Sequence, residues 1–262
     1  MAITAFSITG AGTIQANGGD SNNTGGGYGA GAGGRIALKL TGPGDFTGFT
    51  GLVTAYGGDS PRYLSDGAAG TIYEELAAQA GGHTGELIVR QFSSSAQPGD
   101  GVFTRMPAGT NVNQFSTVTI QNTGNLAVGS DATIDFGRIQ PAVNIRPGTS
   151  FNDAIVTILG ISSGTTFPDS YTITGYTLST GTILTMPGDL TLATRGGLTH
   201  PQNQTAETWK LNLRVNGNFT VNSDATVSAD GRGYNNYLGP GGATSAHTYA
   251  GAGYGGRGGG HH

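Results

Sequence analysis

Two acidic repeats are the strongest candidates for chemistry in this chain. Gly18-Gly19-Asp20-Ser21 recurs as Gly57-Gly58-Asp59-Ser60, and Asp230 stands in a related segment near the C-terminal end. Carboxylate and carbonyl oxygens are the ligands that Ca²⁺ prefers, so Asp20, Asp59 and Asp230 are candidate calcium ligands. Aspartate after paired glycines is also an ordinary turn former whose side chain bonds to nearby backbone. Both interpretations are open, and calcium is the one cofactor that the sequence proposes.

Tyrosines on the glycine-rich loops form a second candidate site. A tyrosine ring stacks on sugars and its hydroxyl hydrogen-bonds, as in adaptable binding loops. The alternative is that these rings cover glycine backbone and shield it from solvent. The candidate residues for contact with a surface glycan or another subunit are Tyr28, Tyr63, Tyr234, Tyr237 and Tyr254, and Tyr56 and Tyr249 occupy similar loops.

No catalytic residue is predicted, because each enzymatic motif lacks its structural context. Gly29-x-Gly31-x-x-Gly34 fits a dinucleotide fingerprint but opens no helix. The run 160–164, Gly-Ile-Ser-Ser-Gly, fits a nucleophile elbow, and Asp169 and His200 follow in the right order, but no helix follows the serine. The five histidines have no zinc-ligand spacing, and the chain has no cysteine.

Composition excludes other classes of function. The chain of 262 residues carries a net charge of −4 without a basic cluster, which disfavours nucleic acid as a partner. No apolar run reaches the roughly 20 residues that a membrane span needs. The N-terminal residues lack the pattern of a signal peptide, so a signal sequence is not present in this chain.

The candidate residues lie in a repeat of strand, glycine-rich loop and strand. Its apolar anchors are Ile14, Ile36, Val53 and Ile72, which are 22, 17 and 19 residues apart. A turn of a parallel β-solenoid takes about 20 residues, so these anchors predict one turn each. A third copy begins at Thr226 and reaches Arg257 through another glycine-rich loop.

The middle of the chain, residues 86–193, contains less glycine and has alternating runs typical of strands. The segment 74–80 is the only plausible helical turn. We expect one elongated domain over 1–262, with a candidate insertion or sub-domain at 140–205. The predicted fold is all-β: a right-handed parallel β-helix with long glycine-rich loops.

The repeat resembles those of large secreted bacterial surface proteins of the adhesin and autotransporter-passenger kind. The residues that carry the likeness are Thr13-Ile14-Gln15-Ala16-Asn17-Gly18-Gly19 and the closing Gly31-Ala32-Gly33-Gly34-Arg35-Ile36. The resemblance covers about a third of the chain. It implies a β-helix with a structural or adhesive role outside the cell, and it assigns no catalytic residue.

The third copy ends after Gly256-Arg257 and a short Gly-His tail, where the first copy continues into a strand. Either the chain is cut from a longer array, or a neighbouring copy supplies the missing strand, which predicts head-to-tail fibres. The leading hypothesis is a non-catalytic extracellular or cell-surface module that associates with its own copies and with glycans. The alternative is a polysaccharide-active enzyme on the same fold, for which Asp131 and Asp135 would need a partner from another turn.

Overall fold

The structure is a computed structural model in which β-strands are the main regular element of the described residues. The described residues are 1–21, 29–60, 66–82, 84–92, 102–110, 115–130, 132, 139–140, 154–158, 167–203, 205–234 and 238. Within them the regular elements are strands and two short 3₁₀ turns, Phe46–Gly48 and Ala77–Gln79. The all-β class predicted from the sequence is confirmed, and the second turn falls inside the segment predicted to contain a helical turn.

The strands follow the β-branched, alternating runs of the sequence. The N-terminal strands are β1 (Ala2–Ala5), β2 (Thr13–Gln15), β3 (Arg35–Leu40), β4 (Leu52–Thr54) and β5 (Thr71–Glu75). The middle strands are β6 (Glu86–Arg90), β7 (Thr104–Arg105), β8 (Thr117–Gln121), β9 (Asn125–Val128), β10 (Ile139–Gln140) and β11 (Ala154–Ile158). The C-terminal strands are β12 (Ser170–Thr174), β13 (Tyr176–Thr180), β14 (Ile183–Met186), β15 (Asp189–Ala193), β16 (Gly197–Thr199), β17 (Asn212–Val215), β18 (Phe219–Val221) and β19 (Thr226–Val227).

Hydrogen bonding groups these strands into five open sheets. The two largest have the orders β1-β3-β5-β6-β8-β10 and β19-β16-β13-β11-β9-β7. Smaller sheets are β12-β15-β18, β14-β17 and β2-β4. Every described pair is parallel except β5–β6, which is antiparallel. Strands of the segment 140–205 pair with strands outside it, because β11 pairs with β9 and β16 pairs with β19.

The pairing corrects the predicted spacing of the N-terminal repeat. Ile14 is paired with Val53, 39 positions later, and Ile36 is paired with Ile72, 36 positions later. Consecutive anchors therefore belong to different sheets, because each repeat contributes two strands joined by a long glycine-rich excursion. The spacing of about 20 residues does occur in the C-terminal part, where Ser170 is paired with Asp189.

Two hydrophobic cores lie on opposite faces of the first sheet. The first core contains Ile36, Leu38, Ala55 and Ile72, and Ile88 of β6 packs against it. The neighbouring residues of β6, Leu87 and Val89, belong to a larger second core that continues through β8, β9, β11 and the strands β12 to β16. Successive side chains of a strand point to opposite faces. The side of the sheet that is buried therefore changes between β5 and β6.

Four glycine-rich arms pack against one another beside the first core. They are the segments 16–19, 31–34, 55–58 and 67–70. The N–H of Gly31 donates to the carbonyl oxygen of Gly19 (2.9 Å), that of Gly58 to Gly31 (2.8 Å), and that of Gly67 to Gly58 (3.0 Å). These bonds satisfy the polar backbone of the arms without regular sheet structure.

At some positions the arms approach so closely that they leave no space for a side chain. A Cβ atom on Gly67 would lie 1.9 Å from the carbonyl oxygen of Gly31, and one on Gly58 would lie 2.1 Å from that of Gly19. Both distances are far shorter than any van der Waals contact. Absence of a side chain is therefore a packing requirement at these positions.

We expect Gly67→Ala to destabilise the protein by at least about 2 kcal/mol, because overpacked backbone must move apart. The measurement is the free energy of unfolding in urea. Gly19→Ala is the matched control, since a Cβ there would meet nothing within 4 Å. Equal stability of the two variants would contradict the close packing of the arms.

Candidate functional site

The predicted calcium ligands Asp20 and Asp59 lie together, and each takes part in contacts between the first two repeats. The N–H of Asp59 donates to Oδ1 of Asp20 (2.9 Å), and the N–H of Ser21 donates to the carbonyl oxygen of Asp59 (2.8 Å). Nearby, the N–H of Ser60 donates to Oδ1 of the buried Asp66 (2.8 Å). Burial, and then the charges of Asp66 and Asp20, raise the pKa of the Asp59 carboxyl.

These contacts support the turn-forming interpretation of the Gly-Gly-Asp-Ser repeat, in which the aspartate bonds to backbone. The backbone belongs to the next repeat rather than to the same turn. Asp230 is exposed, and its backbone N–H donates to Oγ of Ser228 (3.0 Å). Within the described part of the chain, no group of three or more His, Cys, Asp or Glu side chains could hold a metal ion. Calcium binding stays a prediction.

Most of the predicted loop tyrosines fall outside the described residues. These are Tyr28, Tyr63, Tyr237 and Tyr254, whereas Tyr234 is described and half-buried. Tyr56 shows what one loop tyrosine does: Arg90 lies 5.8 Å from its ring centroid, and Phe92 meets it edge-on at 6.5 Å. The Tyr56 ring therefore packs against side chains of its own chain, Arg90 and Phe92.

The residues of the rejected nucleophile motif are not brought into a catalytic arrangement where they are described. His200 is buried, and its Nδ1 lies 2.9 Å from the carbonyl oxygen of Pro201. The carbonyl oxygen of Asp169 accepts from the N–H of Asp189 (2.9 Å). The motif 160–164 and the carboxylates of Asp131 and Asp135 lie outside the described residues.

A cavity that sequence reasoning missed lies on the first sheet, next to the antiparallel pair. We call it the basic pocket; its volume is about 330 Å³. Its lining combines three cationic side chains with two aromatic rings. The lining residues are Arg35, Lys39, Thr71, Tyr73, Leu87, Arg105, Met106, Pro107, Thr110 and Phe115.

A buried carboxylate positions two of the polar groups of the basic pocket. Oε2 of Glu75 lies 3.4 Å from Nζ of Lys39 and accepts from the Tyr73 hydroxyl at 2.5 Å. That hydroxyl also accepts from the N–H of Gly85 (3.1 Å). The Lys39 ammonium is 5.7 Å from the Tyr73 ring centroid, and the Phe115 ring meets Tyr73 edge-on at 5.9 Å. Rotation of the ring and of the ammonium group is thereby restricted.

Burial, reinforced by the hydrogen bond to Glu75, raises the pKa of Tyr73 to about 12. The phenol therefore stays protonated at physiological pH and keeps donating to Glu75. Glu75 is only 2% exposed, so Lys39 and the Tyr73 hydroxyl replace water as partners of its carboxylate. Glu75 is thus the residue that organises this wall of the pocket.

On the opposite face of the same strands, two carboxylates stand directly across from each other. Glu74 of β5 is paired with Glu86 of β6. Burial and the charge of Glu86 raise the pKa of Glu74, and Arg90 offsets part of this rise. The Thr119 hydroxyl donates to Oε1 of Glu86. Glu74 and Arg90 line a cavity of about 280 Å³ beside the first core.

The segment 74–80 contains the signal for both sites. Its sequence predicts a helical turn that includes Glu74 and Glu75, but β5 continues through Glu75 and the 3₁₀ turn begins at Ala77. Because the segment is a strand, the adjacent glutamates point to opposite faces of the sheet. Each then joins a different cluster of residues.

Comparisons with protein-family models, with curated proteins and with solved structures give no match to this chain. In the described part of the chain, no helix has the length and apolar character needed to cross a membrane.

We expect Glu74→Gln to raise the melting temperature at neutral pH. A carboxyl group whose pKa is raised on folding holds a proton that the unfolded chain has lost, so stability falls as pH rises above its ordinary value of 4.5. The neutral amide removes this loss and the repulsion from Glu86. Below pH 4.5 both proteins carry a neutral group, and the difference in melting temperature should shrink.

The measurement is thermal unfolding followed across this pH range. Glu207→Gln is the control, because Glu207 is an exposed residue whose side chain lies 3.8 Å from Lys210. A gain for Glu74→Gln that is the same at every pH would contradict a role for its ionisation.

Proposed function

We propose that this chain is a non-catalytic structural or adhesive module, of parallel β-helical build, that joins copies of itself head to tail. The proposal depends chiefly on how the strand array ends. β17, β18 and β19 are each the last strand of their sheets, and β1 and β2 are the first strands of theirs. Within the described ranges, no further strand pairs with the outer edges of these strands, so both ends can offer backbone groups to another chain.

At the C-terminal end, the rows of the second core continue into exposed residues. Leu190 and Leu192 are fully buried, and their register partners on the next strand are Phe219 and Val221. Each of these two partners leaves 45% of its surface exposed. Val227, beside the buried Leu198, is exposed to the same extent. The apolar rows end without a covering layer among the described residues.

A further parallel layer is the occupant that fits this end. It would continue the same rows, bury the apolar side chains and satisfy the backbone of the edge strands. Another copy of the chain offers such a layer at its N-terminal end, where Ile3 stands beside the buried Leu38. A contact between different ends does not close, so it propagates as a filament.

An extracellular or cell-surface location is part of this proposal. It is supported by the resemblance of the glycine-rich repeat to those of secreted bacterial surface proteins. The same resemblance makes surface glycans candidate partners beside the chain itself.

We expect the protein to form concentration-dependent oligomers that Val221→Lys disperses, because the lysine would place a charge in the apolar row at the joint. The measurement is size-exclusion chromatography with light scattering, followed by negative-stain imaging. Ile183→Lys is the matched control, since Ile183 is 61% exposed on a strand whose alternate residues are buried. A wild-type protein that stays monomeric at every concentration would refute self-association.

The second candidate is a polysaccharide-active enzyme, and the observation that favours it is the Glu74–Glu86 pair. A carboxyl group whose pKa is raised, as that of Glu74 is, and which lies beside a second carboxylate is an arrangement that general acid and base catalysis uses. The proposed non-catalytic role predicts no release of reducing ends or unsaturated products from a panel of polysaccharides. Turnover that Glu86→Gln abolishes would establish the enzyme instead.

A further inference from the structure

We propose that the cavity beside the first core binds one neutral sugar ring of a glycan. We call it the Glu74 cavity; its volume is about 280 Å³, and both Glu74 and Arg90 line it. The inference rests on the proposed adhesive role, which makes surface glycans candidate partners, and it assigns a site to that role. Its evidence is a carboxyl group without a hydrogen-bond partner, a guanidinium group and apolar walls around one cavity.

Glu74 stands where the first core has an aliphatic side chain on the neighbouring strand. Its register partner on β3 is Leu38, a core residue that is 1% exposed. Glu74 itself is half-buried, and its carboxyl group makes no hydrogen bond within the described part of the chain. A partly desolvated carboxyl group gains by acquiring a hydrogen-bond partner. A ligand with hydroxyl groups would supply one.

Arg90 supplies hydrogen-bond donors to the same cavity. Its Nη2 donates to the carbonyl oxygen of Val53 (2.6 Å), and its guanidinium carbon lies 5.8 Å from the centroid of the Tyr56 ring. These contacts hold the guanidinium group between β6 and β4. A guanidinium group has five N–H donors, so the one bond to Val53 leaves others for a ligand.

The opposite charges of the two groups favour a neutral polar ligand. An anion attracted by Arg90 would be repelled by Glu74 and by Glu86 beside it, whereas a cation attracted by Glu74 would meet the charge of Arg90. An apolar molecule would bury the carboxyl group of Glu74 without a partner. A sugar hydroxyl both donates and accepts, so neighbouring hydroxyls can serve both side chains without adding a charge.

An apolar floor separates the two polar groups. Arg90 lies four residues from Glu86, the register partner of Glu74, so the two ends are about 13 Å apart along β6. Ile72 and Ile88, which are paired with each other, line the cavity between these ends.

Aromatic rings complete the lining. Phe46 in the 3₁₀ turn and Phe49 directly after it both contribute to the cavity, and both are half-buried. The C–H faces of a pyranose pack against aromatic and aliphatic surfaces, while its hydroxyls point outward around the ring. Such a ring therefore matches a cavity with an apolar floor and polar ends.

The volume of about 280 Å³ limits the ligand to a small unit. It lies just below the range of drug-sized sites, about 300–1,000 Å³. We therefore expect a single ring to occupy the cavity and the rest of a glycan to extend into solvent.

The test is saturation-transfer difference NMR of the full chain, titrated with methyl glucoside, methyl galactoside and methyl mannoside. We expect at least one of the three to bind, with a dissociation constant that added salt leaves unchanged, because the ligand carries no charge. Sodium galacturonate, butylamine and cyclohexanol represent an anionic, a cationic and a mainly apolar ligand. Each should bind at least threefold more weakly than the best glycoside.

Glu74→Leu should weaken binding of that glycoside at least tenfold, and it should fold because it continues the apolar row of Leu38. Glu74→Gln should weaken binding at least threefold, since an amide is a weaker acceptor than a carboxylate. Glu207→Leu is the matched control: it replaces an exposed glutamate near Lys210 and should leave the dissociation constant unchanged. Circular dichroism and thermal unfolding establish that each variant folds.

The inference is overturned if none of the three glycosides binds, if one of the comparison ligands binds more tightly than all of them, or if both Glu74 variants bind like wild type. Light scattering of the same samples reports self-association separately, so failure of this inference is distinguishable from failure of the proposed assembly. Cleavage of a bound glycoside, visible in the same spectra, would support binding at this site and refute the non-catalytic role.

Discussion

Strands β5 and β6 run antiparallel in a sheet whose other described pairs are parallel, and both candidate sites depend on this contact. The buried face of the sheet changes there, from the side of Ile72 to the side of Leu87. Each face of the junction is therefore covered by a core on one half only. The uncovered halves become the basic pocket on one side and the cavity beside Glu74 on the other.

The N-terminal and C-terminal halves of the protein are stabilised by different contacts. In the N-terminal half, glycine-rich arms carry the chain between strands and bond to each other mainly through backbone groups. At Gly58 and Gly67 the spacing excludes even a methyl group, so this part depends on close backbone contact. In the C-terminal half, rows of leucine and isoleucine stack in register and bury a continuous apolar core. Parallel stacking is common to both halves.

Stacking of this kind has no internal end. Among the described residues, the row of Leu190 and Leu192 is followed on the next strand by Phe219 and Val221, which are partly exposed. That geometry is the physical basis for proposing further copies as partners.

The sequence by itself determined the all-β class and most strands, because β-branched alternation is a local property. It left the role of Asp20 and Asp59 open between calcium ligand and turn former, and the backbone to which Asp20 bonds belongs to the next repeat, 39 positions later. Which strands become neighbours was decided by tertiary structure: Ile14 meets Val53 and not Ile36. The basic pocket was equally invisible, because Arg35 and Arg105 are 70 positions apart and only sheet packing brings them to one cavity.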